Sequence, residues 1–449
     1  MIQEVNDRRR LRQYVETLRG SLDDPSLSGA AQRAAEAIGG EDDPVRALHD
    51  AIPPVEPQLA SSGGAVEETP FLARDPALSL IQSSLDLKLR EKGFTDTTPV
   101  RLGVWDRLKG WVRRVLHPGA FEPTDRNWVI KVGEAMLDRL AKGNHEFNEE
   151  PAQHQISDDA RIVLVGDWGT GLKRANSIAE LIRKEVAKAL EQGREAHVVH
   201  LGDVYYSGLP EECRTRVLKL WPVTRRQARR GATSWSLNGN HDMYGGGFGY
   251  FDCLLADKRF SGQRSSNGET TSFFHLRSPS WDVIGLDTSW DPDVLSLGHR
   301  GVLQDPQAEF VKSIAEGSSR KLMLLSHHQL SSVYELDDVT PPTRLYRKLA
   351  PLLEADRVTA WFWGHEHRCM GFYADRGVKF PRCVGNGGVP VFVSKGDIPK
   401  PGMWEDRGVT DEPGERWARF GFAILDLAGP EIRVCYRDEQ GPTREENLS

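Results

Sequence analysis

The sequence of 449 residues is poor in cysteine, in long apolar runs and in net positive charge, and each shortage removes a class of protein. Its five cysteines (Cys213, Cys253, Cys369, Cys383 and Cys435) are an odd set with no C-x-x-C pair. This argues against a disulfide framework or a cysteine-held zinc ion, and for reduced thiols in the cytoplasm. No stretch of about 18 uninterrupted apolar residues occurs, so no membrane-spanning helix is predicted. The opening, Met1 to Arg10, is polar from its first turn and has no apolar core of an export signal, which again leads to the expectation of a cytoplasmic location. Lys and Arg number 58 against 65 Asp and Glu, a net charge of −7, the wrong sign for coating nucleic acid, and no nucleic-acid partner is expected.

What is present reads as a folded chain of two domains. From Ser21 to about Thr69 the residues are mostly Gly, Ser, Pro, Asp and Ala, the texture of loop rather than core. Between Val104 and Leu116 the apolar residues Val104, Trp105, Leu108, Trp111, Val112, Val115 and Leu116 make a helical stripe opposite Arg107, Lys109, Arg113 and Arg114. Such a basic helix fits docking on its own protein, and it also offers residues 104–116 as a peripheral membrane or protein contact. A second helix starts at Thr124 or Asp125, runs through Trp128, Val132, Met136 and Leu140, and stops at Gly143. Residues 1–155 are thus expected to be a mostly helical N-terminal region with a loose lead-in, and residues 156–449 a second domain.

From Arg161 the pattern changes to short apolar strands separated by helices. Arg161 to Val165 and His197 to Leu201 flank an amphipathic helix from Arg174 to Gln192, with Ile178, Leu181, Ile182, Val186 and Leu190 on one face, a βαβ unit with parallel strands. Further strands are predicted at Ser234 to Asn238, Ser272 to Leu276, Asp282 to Asp287, Lys321 to Leu325 and Thr359 to Trp363. A closing hairpin is predicted from Gly421 to Leu427 and Glu431 to Arg437.

The chemistry lies where these strands end. Gly166-Asp167, Gly202-Asp203, Gly239-Asn240-His241-Asp242, Ser326-His327-His328 and Gly364-His365-Glu366-His367 each follow an apolar strand, at the edge where open α/β sheets place ligands. Carboxylate and amide oxygens with imidazole nitrogens, and no thiolate, suit first-row metal ions. These groups are too many for one ion and natural for two bridged by a carboxylate. The glycines let the chain turn sharply off each strand.

In this order the motifs resemble those of the calcineurin-like metallophosphoesterases, D-x-H/G, G-D, G-N-H-D/E, H and G-H-x-H, over Arg161 to about Arg368, with further likeness in Leu286-Asp287-Thr288, in Gln307 opening a helix, and in the hairpin. Two departures, Gly169 in place of a second histidine and Tyr206 three residues after Asp203, are similar to the purple acid phosphatase branch. The resemblance implies an α/β fold, a four-layer αββα sandwich with a mostly helical N-terminal region. It also implies that Asp167, Tyr206 and His367 hold one ion, that Asn240, His327 and His365 hold the other, and that Asp203 bridges them. The ions would be iron with iron, manganese or zinc.

Two ions about 3.5 to 4 Å apart acidify water to a hydroxide that attacks phosphorus in line. His241 would protonate the leaving alkoxide as general acid, with Asp242 or a neighbour orienting its ring. His328 is expected to face substrate, Glu366 to be solvated, and His200, His275 and His299 to be structural. The basic run Arg225-Arg226 and Arg229-Arg230 reads as solvated surface. The reaction expected is hydrolysis of phosphate monoesters of a phosphorylated small molecule; a phosphodiesterase and a non-catalytic scaffold are the alternatives.

Overall fold

A computed structural model describes residues 142–449 except 291–300, 334–342, 392, 394–395 and 411–416, together with Ala135 and Arg139. The segment 104–116, the lead-in 21–69 and His299 lie outside the described residues. Ala135, Arg139 and Lys142 are helical, and Gly143, at φ 74°, donates its N–H to the Arg139 carbonyl at 2.7 Å, the termination its residue type predicts. Of the two compact units into which the chain divides, the one described below comprises His145–Met243, Gly247–Val389 and Val393–Ser449.

Along the chain this unit runs β1 (Ala152–Gln155), β2 (Arg161–Val165), α1 (Lys173–Glu191), β3 (Ala196–His200), β4 (Ala232–Ser236), β5 (Phe274–Arg277), β6 (Trp281–Gly285), α2 (Asp305–Gly317), β7 (Lys321–Ser326), α3 (Arg344–Glu354) and β8 (Val358–Trp363). It continues with β9 (Cys369–Phe372), β10 (Val378–Val384), β11 (Gly402–Glu405), β12 (Gly421–Ala428), β13 (Glu431–Asp438) and β14 (Gly441–Leu448). Eight strands form one sheet in the order β1-β5-β6-β7-β8-β10-β9-β11, and six form the other, β14-β13-β12-β2-β3-β4. The β2-α1-β3 crossover is parallel, as the βαβ reading requires. Five strands extend the predicted frame: β1 precedes residue 156 and pairs with β5; β10, β9 and β11 continue the eight-stranded sheet beyond β8; and β14 adds a third strand to the closing hairpin.

The uniformly apolar strands follow from burial on both faces. Side chains alternate along a strand, so in β7 Met323 and Leu325 enter the core between the sheets while Leu322 and Leu324 enter a second core with Val311 of α2 and Leu349 of α3. Ile162 and Leu164 of β2 meet Met323, Leu325, Ala360 and Phe362 of the eight-stranded sheet in the inner core. On the outside of the six-stranded sheet, α1 buries Ile178, Ile182, Val186 and Leu190 against β2, β3 and β12. Helix, sheet, sheet and helix therefore stack in four layers, the αββα sandwich that the resemblance implies.

One buried cation fastens the six-stranded sheet to its helix. Arg161 on β2 donates to Glu185 of α1 at 2.8 Å and to both carboxylate oxygens of Asp426 on β12 at 2.8 Å. Burial pushes the Asp426 carboxyl up, but Arg161 and Arg194 outweigh it and hold the group below the usual carboxylate range. That stabilisation is present above the unfolded pKa of about 3.9 and is lost as pH falls through the depressed folded value. Arg161→Ala is predicted to cost about 3 kcal/mol, the low end for breaking a buried pair, because Arg194 and Arg437 remain beside the two carboxylates. Urea unfolding at neutral pH measures this, and a loss below about 1 kcal/mol would contradict it.

Candidate metal centre

Five strands deliver the predicted donors. Asp167 follows β2, Asp203 follows β3, Asn240 follows β4, His327 follows β7, and His365 and His367 follow β8. Asp167, Asp203, His365 and His367 all sit at positive φ, between 52° and 73°, a region that non-glycine residues rarely adopt and that costs about 1–3 kcal/mol each. Among the described residues only Asp356 and Arg376 share this backbone state without glycine. Two glycines give the carboxylates room: a Cβ on Gly239 would stand 2.0 Å from Asp203 Oδ1, and one on Gly364 would stand 2.7 Å from Asp167 Oδ2.

The donors gather into two groups that share one carboxylate. In the first, the Tyr205 hydroxyl lies 3.0 Å from Asp167 Oδ1, 2.9 Å from Asp203 Oδ2 and 2.9 Å from His367 Nε2. In the second, His327 Nε2 lies 2.9 Å from Asn240 Oδ1, 3.1 Å from His365 Nδ1 and 3.4 Å from Asp203 Oδ1. Asp203 thus turns one oxygen to each group. His327 Nδ1 donates to the Leu201 carbonyl at 3.0 Å, which leaves Nε2 a lone pair for a cation. The His365 backbone N–H donates to Asp167 Oδ2 at 2.8 Å and ties the groups together.

All of these side chains are buried. Burial, together with the Asp203 charge, pushes the Asp167 carboxyl well above the usual range. Burial also pushes Asp203 up, but the His327 and His241 rings and the His241 N–H overcome it and hold Asp203 below its ordinary value. Two carboxylates so close in a dry site repel unless positive charge lies between them. Oxygen and imidazole donors of this kind, without thiolate, are a fitting cradle for two first-row cations. Donor atoms of Asp167, Asp203 and His327 lie within 4.8 Å of one another, as do those of His327, His328 and His365.

Several expectations change on inspection. Tyr205, the neighbour of the expected ligand Tyr206, reaches the first group. Tyr206 instead lies under the Arg216 guanidinium, 4.6 Å from ring centre to cation. Asp242 does not orient the His241 ring: its carboxylate accepts from the N–H groups of Gly239, Asp203 and Val204 at 2.8, 3.0 and 3.3 Å. The His241 ring is held by the Tyr206 carbonyl, 2.6 Å from Nδ1, with Nε2 3.8 Å from Asp203 Oδ2. Glu366 is not solvated; it is fully buried, accepting from Ser332 Oγ and, at 3.1 Å, from Trp363 Nε1.

His328 is buried beside the second group, its ring 4.9 Å from that of His365 and its Nδ1 2.9 Å from Thr288 Oγ1. Away from the centre, His275 pairs with Asp282 at 2.8 Å, and burial pushes His200 down to about 3. Gln307 braces the end of β6 by exchanging two 2.9 Å bonds with the Asp287 backbone. The four arginines at 225, 226, 229 and 230 are exposed.

Residues 160–369 match the calcineurin-like phosphoesterase family. Tartrate-resistant acid phosphatase type 5 of Rattus norvegicus is 25% identical over 308 residues, covering 63% of this chain and 87% of that one. The Homo sapiens protein of the same name is 25% identical over 299 residues, covering 63% and 88%. A solved structure described as GAP50, the anchor in the inner membrane complex of Plasmodium, is 13% identical with a TM-score of 0.44, covering 65% of this chain and 88% of that one.

The space opened by Gly239 generates a test. Gly239→Ala would drive a methyl group into Asp203 and is predicted to weaken metal retention at least about tenfold, as loss of supporting contacts does. Elemental analysis after dialysis against a chelator checks this, and unchanged metal content would contradict it.

Proposed function

We propose that this chain, which belongs to the calcineurin-like metallophosphoesterases, hydrolyses phosphate monoesters at a centre of two metal ions. It is a metal-dependent phosphoric ester hydrolase of the phosphatase type. Asp167, Tyr205 and His367 would hold one ion, Asn240, His327 and His365 the other, with Asp203 between them. The observation that carries this assignment is the division of the Asp203 oxygens between the two donor groups, 2.9 Å from Tyr205 and 3.4 Å from His327. Iron with a second iron, manganese or zinc is the proposed pairing, on the strength of carboxylate and phenolic oxygens beside imidazole.

When bound, such a pair supplies Lewis acidity, which generates a nucleophile near neutral pH and neutralises phosphate charge. The chain's own part begins with His241. A carbonyl oxygen only accepts, so the 2.6 Å contact with Tyr206 fixes the proton on Nδ1 and leaves Nε2 as the atom that carries and releases a second proton. Nε2 points to the side of Asp203, where a leaving alkoxide would need that proton. His328, with Nδ1 engaged by Thr288, is proposed to meet a phosphate oxygen through Nε2. A monoester is favoured because the relatives that share 25% of the sequence are acid phosphatases by name.

Two measurements test this reading. Turnover of an aryl phosphate is predicted to exceed that of its bis-aryl diester by at least about tenfold, and a preference for the diester would overturn the monoesterase assignment. His241→Ala is predicted to slow turnover of esters with poor leaving groups by about 10²- to 10⁴-fold, with a clearly smaller loss on good ones. Equal losses on both would remove His241 from the role of general acid.

A further inference from the structure

The loop from Asp203 to Leu209 carries both Tyr205 and the carbonyl that holds His241, yet it has no regular structure of its own. Every one of its backbone N–H groups nevertheless has a partner. Those of Asp203 and Val204 go to Asp242, and those of Tyr205 and Gly208 go to the carbonyls of Gly169 and Val204. The remaining three, from Tyr206, Ser207 and Leu209, all go to the carboxylate of Glu212, at 2.5, 3.0 and 3.1 Å. Arg216, one turn further on, donates to the Tyr205 carbonyl at 2.6 Å, lies 3.4 Å from Glu212, and covers the Tyr206 ring. Both side chains are buried, Glu212 being 1% and Arg216 6% exposed.

A buried carboxylate and guanidinium are costly to desolvate, and this pair is compensated largely by one seven-residue loop. We propose that Glu212 and Arg216 are positioning residues for the phosphoester hydrolysis proposed above, on which this inference rests. By fixing the backbone at Tyr205 and Tyr206, they aim the Tyr205 hydroxyl at Asp167, Asp203 and His367. Through the Tyr206 carbonyl, they also set the tautomer and direction of the His241 ring. The same clamp holds Tyr206 under the Arg216 guanidinium while Tyr205 faces the donors. One device thereby serves metal holding and proton delivery together.

The test is a pair of double-mutant cycles on the full-length holoenzyme. Glu212→Gln is made alone, with Tyr205→Phe and with His241→Ala, and Arg216→Met is carried through the same backgrounds. Circular-dichroism melting establishes that each variant is folded. Glu212→Gln is expected to weaken retention of the resident metal about tenfold across a chelator series, the scale seen for supporting groups at metal sites. It is also expected to raise the ratio of turnover on good over poor leaving groups about tenfold. The first effect should shrink below about twofold once Tyr205 is Phe, and the second should vanish once His241 is Ala.

Losses of the same size in all backgrounds, or folded variants with unchanged retention and ratio, would overturn the proposal. So would Tyr205→Phe leaving retention untouched. If Glu212→Gln does not fold, Arg216→Met, which keeps the three bonds to Glu212, decides the question. A wild-type protein that retains metal but turns over neither ester refutes the hydrolase reading, while the retention cycle still decides the clamp.

Discussion

The structure depends on the burial of two carboxylates, Asp167 and Asp203, within reach of one phenol and one set of imidazoles. Both carboxylates are buried, and among the described residues neither is paired with a lysine or arginine. Such an arrangement is unfavourable for an empty protein and favourable around cations, because the same low polarity that amplifies repulsion also amplifies attraction to a positive ion. The surrounding architecture is arranged to enforce it. Left-handed backbone at Asp167, Asp203, His365 and His367 is tolerated because strands buried on both faces fix the chain on either side. Glycines at 239 and 364 leave the volume that the carboxylates occupy.

The four layers explain why the site forms where it does. β7 and β8 are anchored by side chains in two separate cores, and β2, β3 and β4 by side chains in the core between the sheets, so each C-terminal end is held by packed strand on its N-terminal side. β2, β3 and β4 come from one sheet and β7 and β8 from the other, and packing the sheets face to face brings their ends to a common edge. The loop regions then need only short supports. Asp242 and Glu212 each bind several backbone N–H groups, so Asp242, which stands in a chemical motif of the sequence, supports the backbone of its neighbours, as does Glu212, which stands in none.

That distinction marks the boundary of what the sequence made legible. Strands such as β2, β7 and β8 could be located because burial on both faces leaves an uninterrupted apolar run, and the donors could be located because each follows such a run. β10 was hidden by Pro381, a residue that ordinarily argues against an interior strand, and β14 by its exposed, charge-rich sequence Thr443-Arg444-Glu445-Glu446. The choice between Tyr205 and Tyr206 could not be made from spacing, since it is set by Glu212 and Arg216, whose contacts with the loop exist only after folding. Glu366 was misjudged for the same reason: alternation turns it away from His365 and His367, but toward Trp363 and Ser332 rather than solvent.

The most direct test is the number of metal ions held by the full-length protein and by Asp203→Ala, determined by elemental analysis. About two equivalents in the parent protein and loss of both in the variant are expected if a single carboxylate joins two ions. A parent protein that holds one ion or none, or a folded Asp203→Ala variant that keeps two, would contradict the account.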